Sequence, residues 1–316
     1  MTFLEELRID FQKMLEYREA VGYATATYQC MVSPFIDFCG NNYPDAVSIS
    51  REMVDNWLEN YSYSNNNQAV FIACLRQYTR FIAFLGKTVF IPDEDYSLQR
   101  IAYEPYLFTD EELSSLFDAI DSYSATTSNK KCKPEIVLPP LFRMMYCCGM
   151  RPSEPLHLLC KDVNLETGDI YIRASKRHKD RHIIMSEDMM ELCNKYDSLA
   201  GERNWFFEYK GGKYQTKWMT AQFHHCWKAS GLLKHDNPRP YDLRHAFATR
   251  NLMRWVDNGN DVTALLPFLS TYMGHSEIKS TLYYVHLLPE RIRRSPGVDW
   301  EQLLSIYGEE GVMDEM

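Results

Sequence analysis

The chain has 316 residues, 45% apolar and 14% aromatic, with 34 Lys+Arg against 43 Asp+Glu and a formal charge of −9. This composition excludes a disordered chain, and the length suits about two domains with separate cores. A membrane span is excluded as well, because the most apolar stretch, Glu135 to Met150, is interrupted by two prolines and Arg143. The opening MTFLEELRID is acidic and amphipathic, unlike a secretory signal, so a cytoplasmic location is expected. Nine cysteines, odd in number and without a C-x-x-C pair, read as reduced thiols. The run His224-His225-Cys226 is no metal site on this reading, since neighbours on a helix point about 100° apart. At face value, the net charge argues against a nucleic-acid partner.

Leu4, Leu7, Phe11 and Met14 fall three and four apart, as do Tyr28, Met31, Phe35 and Phe38, which predicts two amphipathic helices. Ser50 is placed to cap a short helix through Trp57 and Leu58. A longer stripe, Val70, Phe71, Cys74, Leu75, Tyr78, Phe81, Ile82 and Leu85, follows and stops at Gly86. Residues 1–86 thus read as a four-helix domain, and 87–107 as a linker with two prolines and the acidic cluster Asp93-Glu94-Asp95. Thr109-Asp110-Glu111-Glu112 is a capping box that opens a second domain over 108–289. Within it a buried helix ends at Gly149. Val163–Leu165 and Ile170–Ile172 predict a hairpin, and Ile183–Met185 a third strand after a basic loop. The remainder is helical, so the expected fold class is mainly α with one small antiparallel β-sheet in the second domain. A tail, 290–316, carries Trp300, Leu303, Leu304 and Tyr307 on one face of a helix.

Counting charge by segment changes the first impression. Residues 1–105 carry −6, residues 106–129 carry −5, residues 130–250 carry +7 and residues 251–316 carry −5. The basic surplus is concentrated in one stretch, where anion contacts are expected.

Four segments stand out in order. Cys148-Gly149-Met150-Arg151-Pro152-Ser153-Glu154 places Arg151 in a tight turn between helices, with Glu154 positioned to orient its guanidinium. Ser175-Lys176-Arg177-His178-Lys179-Asp180-Arg181 is a basic loop between strands. Pro240-Tyr241-Asp242-Leu243-Arg244-His245-Ala246-Phe247-Ala248-Thr249 puts Arg244 in the first turn of a helix. Gly274-His275 precedes Tyr283, Tyr284 and His286. Taken alone, each segment reads first as ordinary surface or core.

Together they resemble the tyrosine recombinase, or phage integrase, superfamily of the transposon and integrase type. That pattern is an arginine, a hairpin lysine, a His-x-x-Arg, a Gly-His and a tyrosine. It maps onto Arg151, Lys176, Tyr241 to Arg244, Gly274-His275 and Tyr284. The N-terminal helices resemble the family's SAM-like core-binding domain, so the resemblance covers most of the chain and implies a two-domain DNA-clamping architecture.

The resemblance implies site-specific cleavage and rejoining of double-stranded DNA through a 3′-phosphotyrosine, serving integration, excision or transposition of a mobile element. Two arginines suit a phosphodiester because their planar forks neutralise the non-bridging oxygens as charge builds on phosphorus. No cofactor or metal is called for. Tyr284 is the implied nucleophile, with Tyr283 its competitor; Lys176, in preference to Lys179, is the implied acid; His275 donates to the phosphate. Tyr241 departs from the pattern, and with a reference pKa of about 10 a phenol is a poor base at neutral pH. The implied assembly is a homo-oligomer on DNA, tetrameric in the synaptic complex, with accessory DNA-bending or partner recombinase proteins and the tail docking either in trans or on its own domain. A DNA-relaxing topoisomerase and a catalytically silent DNA-binding relative are the competing readings.

Overall fold

The computed structural model describes residues 2–61, 63–93, 96, 103–123, 133–175, 179–232 and 238–287. The chain divides into two compact units, Met1–Tyr103 and Glu104–Met316.

Four helices build the first unit: α1 (Phe3–Ala20), α2 (Ala26–Asn42), α3 (Arg51–Asn60) and α4 (Asn65–Phe84). Thr2 and Glu5 cap α1 reciprocally, and Ser50 and Ser64 accept the N–H groups of Met53 and Asn67 at the starts of α3 and α4. The apolar stripes meet in an aromatic core, where Phe35 packs edge-on against Trp57 and Phe71 at ring distances of 5.8 and 5.5 Å. Tyr78 is buried there, and its hydroxyl donates to the carbonyl of Leu7 at 2.7 Å. The expected linker begins as part of this unit. Lys87 bonds Glu6 and the buried Asp10 at 2.7 and 2.5 Å, the Phe90 N–H donates to Ile49, and Arg76 reaches the Pro92 carbonyl.

The second unit contains α5 (Asp110–Asp121), α6 (Pro134–Cys147), the single turn α7 (Ser153–Leu156), β1 (Asp169–Ser175), β2 (Lys179–Ile184) and α8 (Glu187–Ala200). It continues with β3 (Glu208–Tyr209), β4 (Gly212–Lys213), α9 (Thr216–Ala229), α10 (Pro240–Asp257), α11 (Val262–Met273) and α12 (Lys279–His286). Helix α6 runs through the middle, packed against α5, α8 and α10, with Leu138, Leu141, Phe142, Met144 and Met145 fully buried. The Thr109–Glu112 capping box at α5 is formed.

Two strand expectations need correction. Val163 makes only a single bridge to Ile170, because Asn164 folds back and accepts the N–H groups of Glu166 and Thr167 in a tight polar turn. The hairpin is instead β1 with β2, pairing Ile170 with Ile183 and Ile172 with Arg181, and residues 176–178 join the two strands. A second two-stranded sheet, β3–β4, turns at Lys210-Gly211, both at positive φ. On α9, His224 and His225 are exposed while Cys226 is buried, so the three side chains share no face. Among the described residues, no helix is long and apolar enough to cross a membrane. The expected tail helix lies outside the described residues.

Tyr78→Phe retains the ring and removes the bond to Leu7, so the expected loss of unfolding free energy is about 1 kcal/mol. Leu75→Ala, in the same layer, should cost about 3 kcal/mol. Denaturant unfolding of the two variants checks the ordering.

Candidate active site

The site lies in the second unit, where the turns after α6 and α11 meet the first turn of α10. Gly149 sits at φ +62, and a Cβ there would lie 2.5 Å from the Phe247 ring, so only glycine fits the turn that delivers Arg151. Arg151 donates through Nη1 to Glu154 at 3.0 Å and through Nη2 to the Gly274 carbonyl at 2.6 Å. Glu154 also accepts the Arg151 backbone N–H at 2.7 Å. This is the orientation expected from the three-residue spacing.

Arg244 is completely buried in the first turns of α10. Its Nη1 donates to the Gly149 carbonyl at 2.6 Å, and Nη2 to the Met273 carbonyl at 2.7 Å and to His275 Nε2 at 3.1 Å. Its Nε–H finds no hydrogen-bond partner. Burial lowers its pKa, while Tyr241 and Tyr284 partly offset that effect; a guanidinium nonetheless stays charged at any working pH. The carbonyls of consecutive residues, Met273 and Gly274, thus hold one arginine each.

His275 follows Gly274, which closes α11 in the left-handed conformation at φ +67. Its Nδ1 lies 2.7 Å from the buried Thr281 hydroxyl on α12. With Arg244 donating to Nε2, the imidazole proton falls on Nδ1 and points at Thr281. Three residues after Thr281 comes Tyr284, 2% exposed, its ring stacked on His275 at 6.0 Å and 19°. Burial pushes the Tyr284 phenol up to about 12, against the pull of Arg244 beside it. Tyr283 is half-buried, its ring 6.4 Å from that of His245 and 6.0 Å from that of Tyr284.

Five of the six residues proposed from sequence, Arg151, Tyr241, Arg244, His275 and Tyr284, therefore lie in one cluster. Lys176 lies outside the described residues, as do the side chains of Lys179 and His286. Three further members went unnoticed in the sequence. Thr281 orients His275. Arg181, on β2, grips Glu154 with both ends of its fork at 2.7 and 2.8 Å. His245 packs its ring against Tyr241 at 4.8 Å and Tyr284 at 5.5 Å, with neither nitrogen hydrogen-bonded. A signal for Arg181 was available: strand alternation puts it on the face of buried Ile183.

Charge is unbalanced here. Arg151, Arg181 and Arg244 converge, and among the described residues only Glu154 forms ion pairs with any of them. Burial raises the Glu154 pKa, but the hydrogen bonds and charge of Arg181, then the charge of Arg244, outweigh it and hold the carboxyl below its ordinary range.

His245 yields a pH prediction. Burial, with Arg244 and Arg239 nearby, brings its pKa down to about 3 from 6.5. The unfolded chain therefore binds a proton between these values that the folded chain refuses. Stability is full above pH 6.5 and falls as pH drops toward 3, by up to about 1.4 kcal/mol per pH unit from this group. His245→Asn should flatten that slope in unfolding titrations at pH 4 to 7.

Residues 107–291, more than half of the chain, match the model of the Phage integrase family. A protein named as an integrase/recombinase, y4rE of Sinorhizobium fredii, is 25% identical over 286 residues, covering 87% of this chain and 89% of its own length. Tyrosine recombinase XerC of Halalkalibacterium halodurans is 22% identical, covering 84% of this chain and 87% of its own. Among solved structures, the Tn1549 transposon integrase with transposon right end DNA superposes with a TM-score of 0.60 at 17% identity, covering 96% of this chain and 99% of that one. A lambda integrase tetramer on a Holliday junction gives 0.64 at 16% identity, covering 90% and 77%. The fold, mainly helical with small antiparallel sheets, is that of the tyrosine recombinases, and the chain belongs to the phage integrase family.

Proposed function

We propose that this protein is a site-specific DNA recombinase that cuts and rejoins DNA through Tyr284. The observation that carries this reading is the fully buried Arg244 with an unused Nε–H, beside a second arginine and a buried tyrosine. Burying an uncompensated guanidinium is costly, and a site that does so beside hydrogen-bonding backbone is suited to an anion. A phosphodiester supplies that anion, with two non-bridging oxygens for Arg151 and Arg244.

In the proposed step, Tyr284 Oη forms a bond to phosphorus as the bond to the 5′-oxygen breaks. The phenolic proton passes from Tyr284 to water, and Lys176 gives a proton to the departing 5′-oxygen. The product is a 3′-phosphotyrosyl link and a free 5′-hydroxyl, and the reverse attack rejoins a strand. Negative charge gained by phosphorus in the transition state falls between fixed cations, which need no reorganisation to meet it. A phenol 2% exposed meets a phosphate only after α12 shifts locally. An anion next to Arg244 also changes His275. Once Arg244 turns to phosphate, Nε2 is released from accepting, and the tautomer with its proton on Nε2 donates to the same anion while Nδ1 accepts from Thr281.

The relatives' DNA complexes support double-stranded DNA as the substrate, and the lambda integrase tetramer supports an oligomer of four on it. Integration or transposition of a mobile element is the proposed setting, following the Tn1549 integrase.

Incubation with a nicked suicide duplex carrying the recognition site should trap a covalent protein–DNA adduct. Tyr284→Phe should abolish the adduct while Tyr283→Phe retains it. An adduct that survives Tyr284→Phe and disappears in Tyr283→Phe assigns the nucleophile to the neighbour. Strong DNA binding without any adduct from the native protein removes the enzymatic reading.

A further inference from the structure

We infer that Arg181 is a positioning residue for phosphoryl transfer: through Glu154 it fixes the guanidinium of Arg151. This inference rests on the recombinase reading above and adds a residue to it.

Arg181 stands where three segments meet. Its two terminal nitrogens hold both oxygens of Glu154 at 2.7 and 2.8 Å, in the fork geometry that gives an arginine–carboxylate pair its direction. Its Nε donates to the Tyr272 carbonyl at 2.8 Å, at the end of α11. The backbone of Gly274 lies flat against it, and a Cβ at 274 would fall 3.1 Å from both Cδ and Nη1. Arg181 itself is 9% exposed, Glu154 8%.

Each of its three guanidinium nitrogens thus donates within the protein and the side chain is buried, so Arg181 is not a phosphate ligand in this arrangement. It occupies Glu154 from one side while Arg151 is held from the other, sharing Oε1 at 3.0 Å and donating its backbone N–H to Oε2. A carboxylate gripped this way has one orientation, and Arg151 inherits it. The second anchor of Arg151 is the Gly274 carbonyl, and Gly274 is the residue that rests on Arg181. Both supports of Arg151 therefore converge on the same side chain. Loss of the Arg181 fork leaves Glu154 free to turn and to pair with Arg151 end-on, drawing that arginine away from where the phosphate oxygen sits.

The test compares adduct formation on two suicide duplexes, one with an ordinary scissile phosphodiester and one with a methylphosphonate there. A methylphosphonate is neutral, so a defect in neutralising the non-bridging oxygens shrinks on it, and Arg151→Ala supplies the reference. Arg181→Gln should slow adduct formation on the phosphodiester about 10²-fold, as expected for a misplaced catalytic group. On the methylphosphonate its loss should be much smaller, matching Arg151→Ala, and the double variant should be no slower than Arg151→Ala alone. Arg181→Lys, which keeps the charge without the fork, should fall between. DNA binding and thermal unfolding are followed on each variant.

Adduct formation by Arg181→Gln at the native rate overturns the inference. So does an equal loss on both duplexes, or a double variant whose losses multiply, because either result makes Arg181 merely structural. If Arg181→Gln does not fold, the same comparison is made with Arg181→Lys, and an equal loss on both duplexes overturns the inference there too. Failure of the native protein to form any adduct instead removes the recombinase reading, leaving the two failures distinguishable.

Discussion

Everything in the second unit is arranged around a surplus of buried positive charge. Three guanidiniums approach one another, and one carboxylate, Glu154, forms ion pairs with two of them. Arg244 is left to backbone carbonyls and an imidazole. In a low-dielectric interior, an uncompensated ion costs several kcal/mol even after relaxation. The fold tolerates that cost because carbonyl dipoles from two turns point at the guanidinium. An anion that completes the set gains most of the cost back on binding, which is the energetic basis for placing phosphate there.

Those dipoles require unusual backbone at two places. Gly149 and Gly274 both adopt the left-handed conformation, and both are pressed by a neighbouring side chain, Phe247 and Arg181 respectively. A β-carbon at either position would be doubly unfavourable, from strain and from contact. The two glycines also end the helices α6 and α11. One feature thus serves two purposes: the helix stops, and its last carbonyls turn toward an arginine instead of continuing the helical ladder. Both arginines are accordingly anchored by carbonyls of these two turns, Arg151 by Gly274 and Arg244 by Gly149 and Met273.

The helices were readable from the sequence because their apolar spacing and caps are local properties. Thr109–Glu112, Ser50 and the Phe11–Met14 stripe needed no tertiary information. The expected hairpin differs from the observed one because Val163, Ile170 and Ile183 are all β-formers: Ile170 pairs with Ile183 and also bridges Val163, but the Asn164 turn stops that second ladder after one residue pair. Most of the site was readable because its members sit beside breaks in helices, in the order a known family repeats. Arg181 is less plain, since it lies in a run of basic residues that looks solvated; its alternation with Ile183 is the one local sign that it faces inward, and the register with Ile172 bears it out. Thr281 and His245 were hidden for a different reason: each sits within a helix, and which face is buried there depends on where α10 and α12 meet.

The net charge of −9 is a sum over parts that differ in sign. A phosphate responds to charges within about a Debye length, roughly 8 Å at physiological salt. At that range it meets the three site arginines, all of which belong to the +7 stretch of residues 130–250. Within the stretch, the buried guanidiniums count for more than surface lysines, because low dielectric strengthens their field while solvent screens the others. Whole-chain charge instead governs the weaker, nonspecific attraction to a polyanion, which scales with the number of phosphates neutralised along a surface. On the proposed reading, an acidic protein with a cationic interior site binds phosphate at one place and holds the rest of a duplex less tightly. Such a protein depends for its affinity on base contacts and on neighbouring subunits more than a uniformly basic one does.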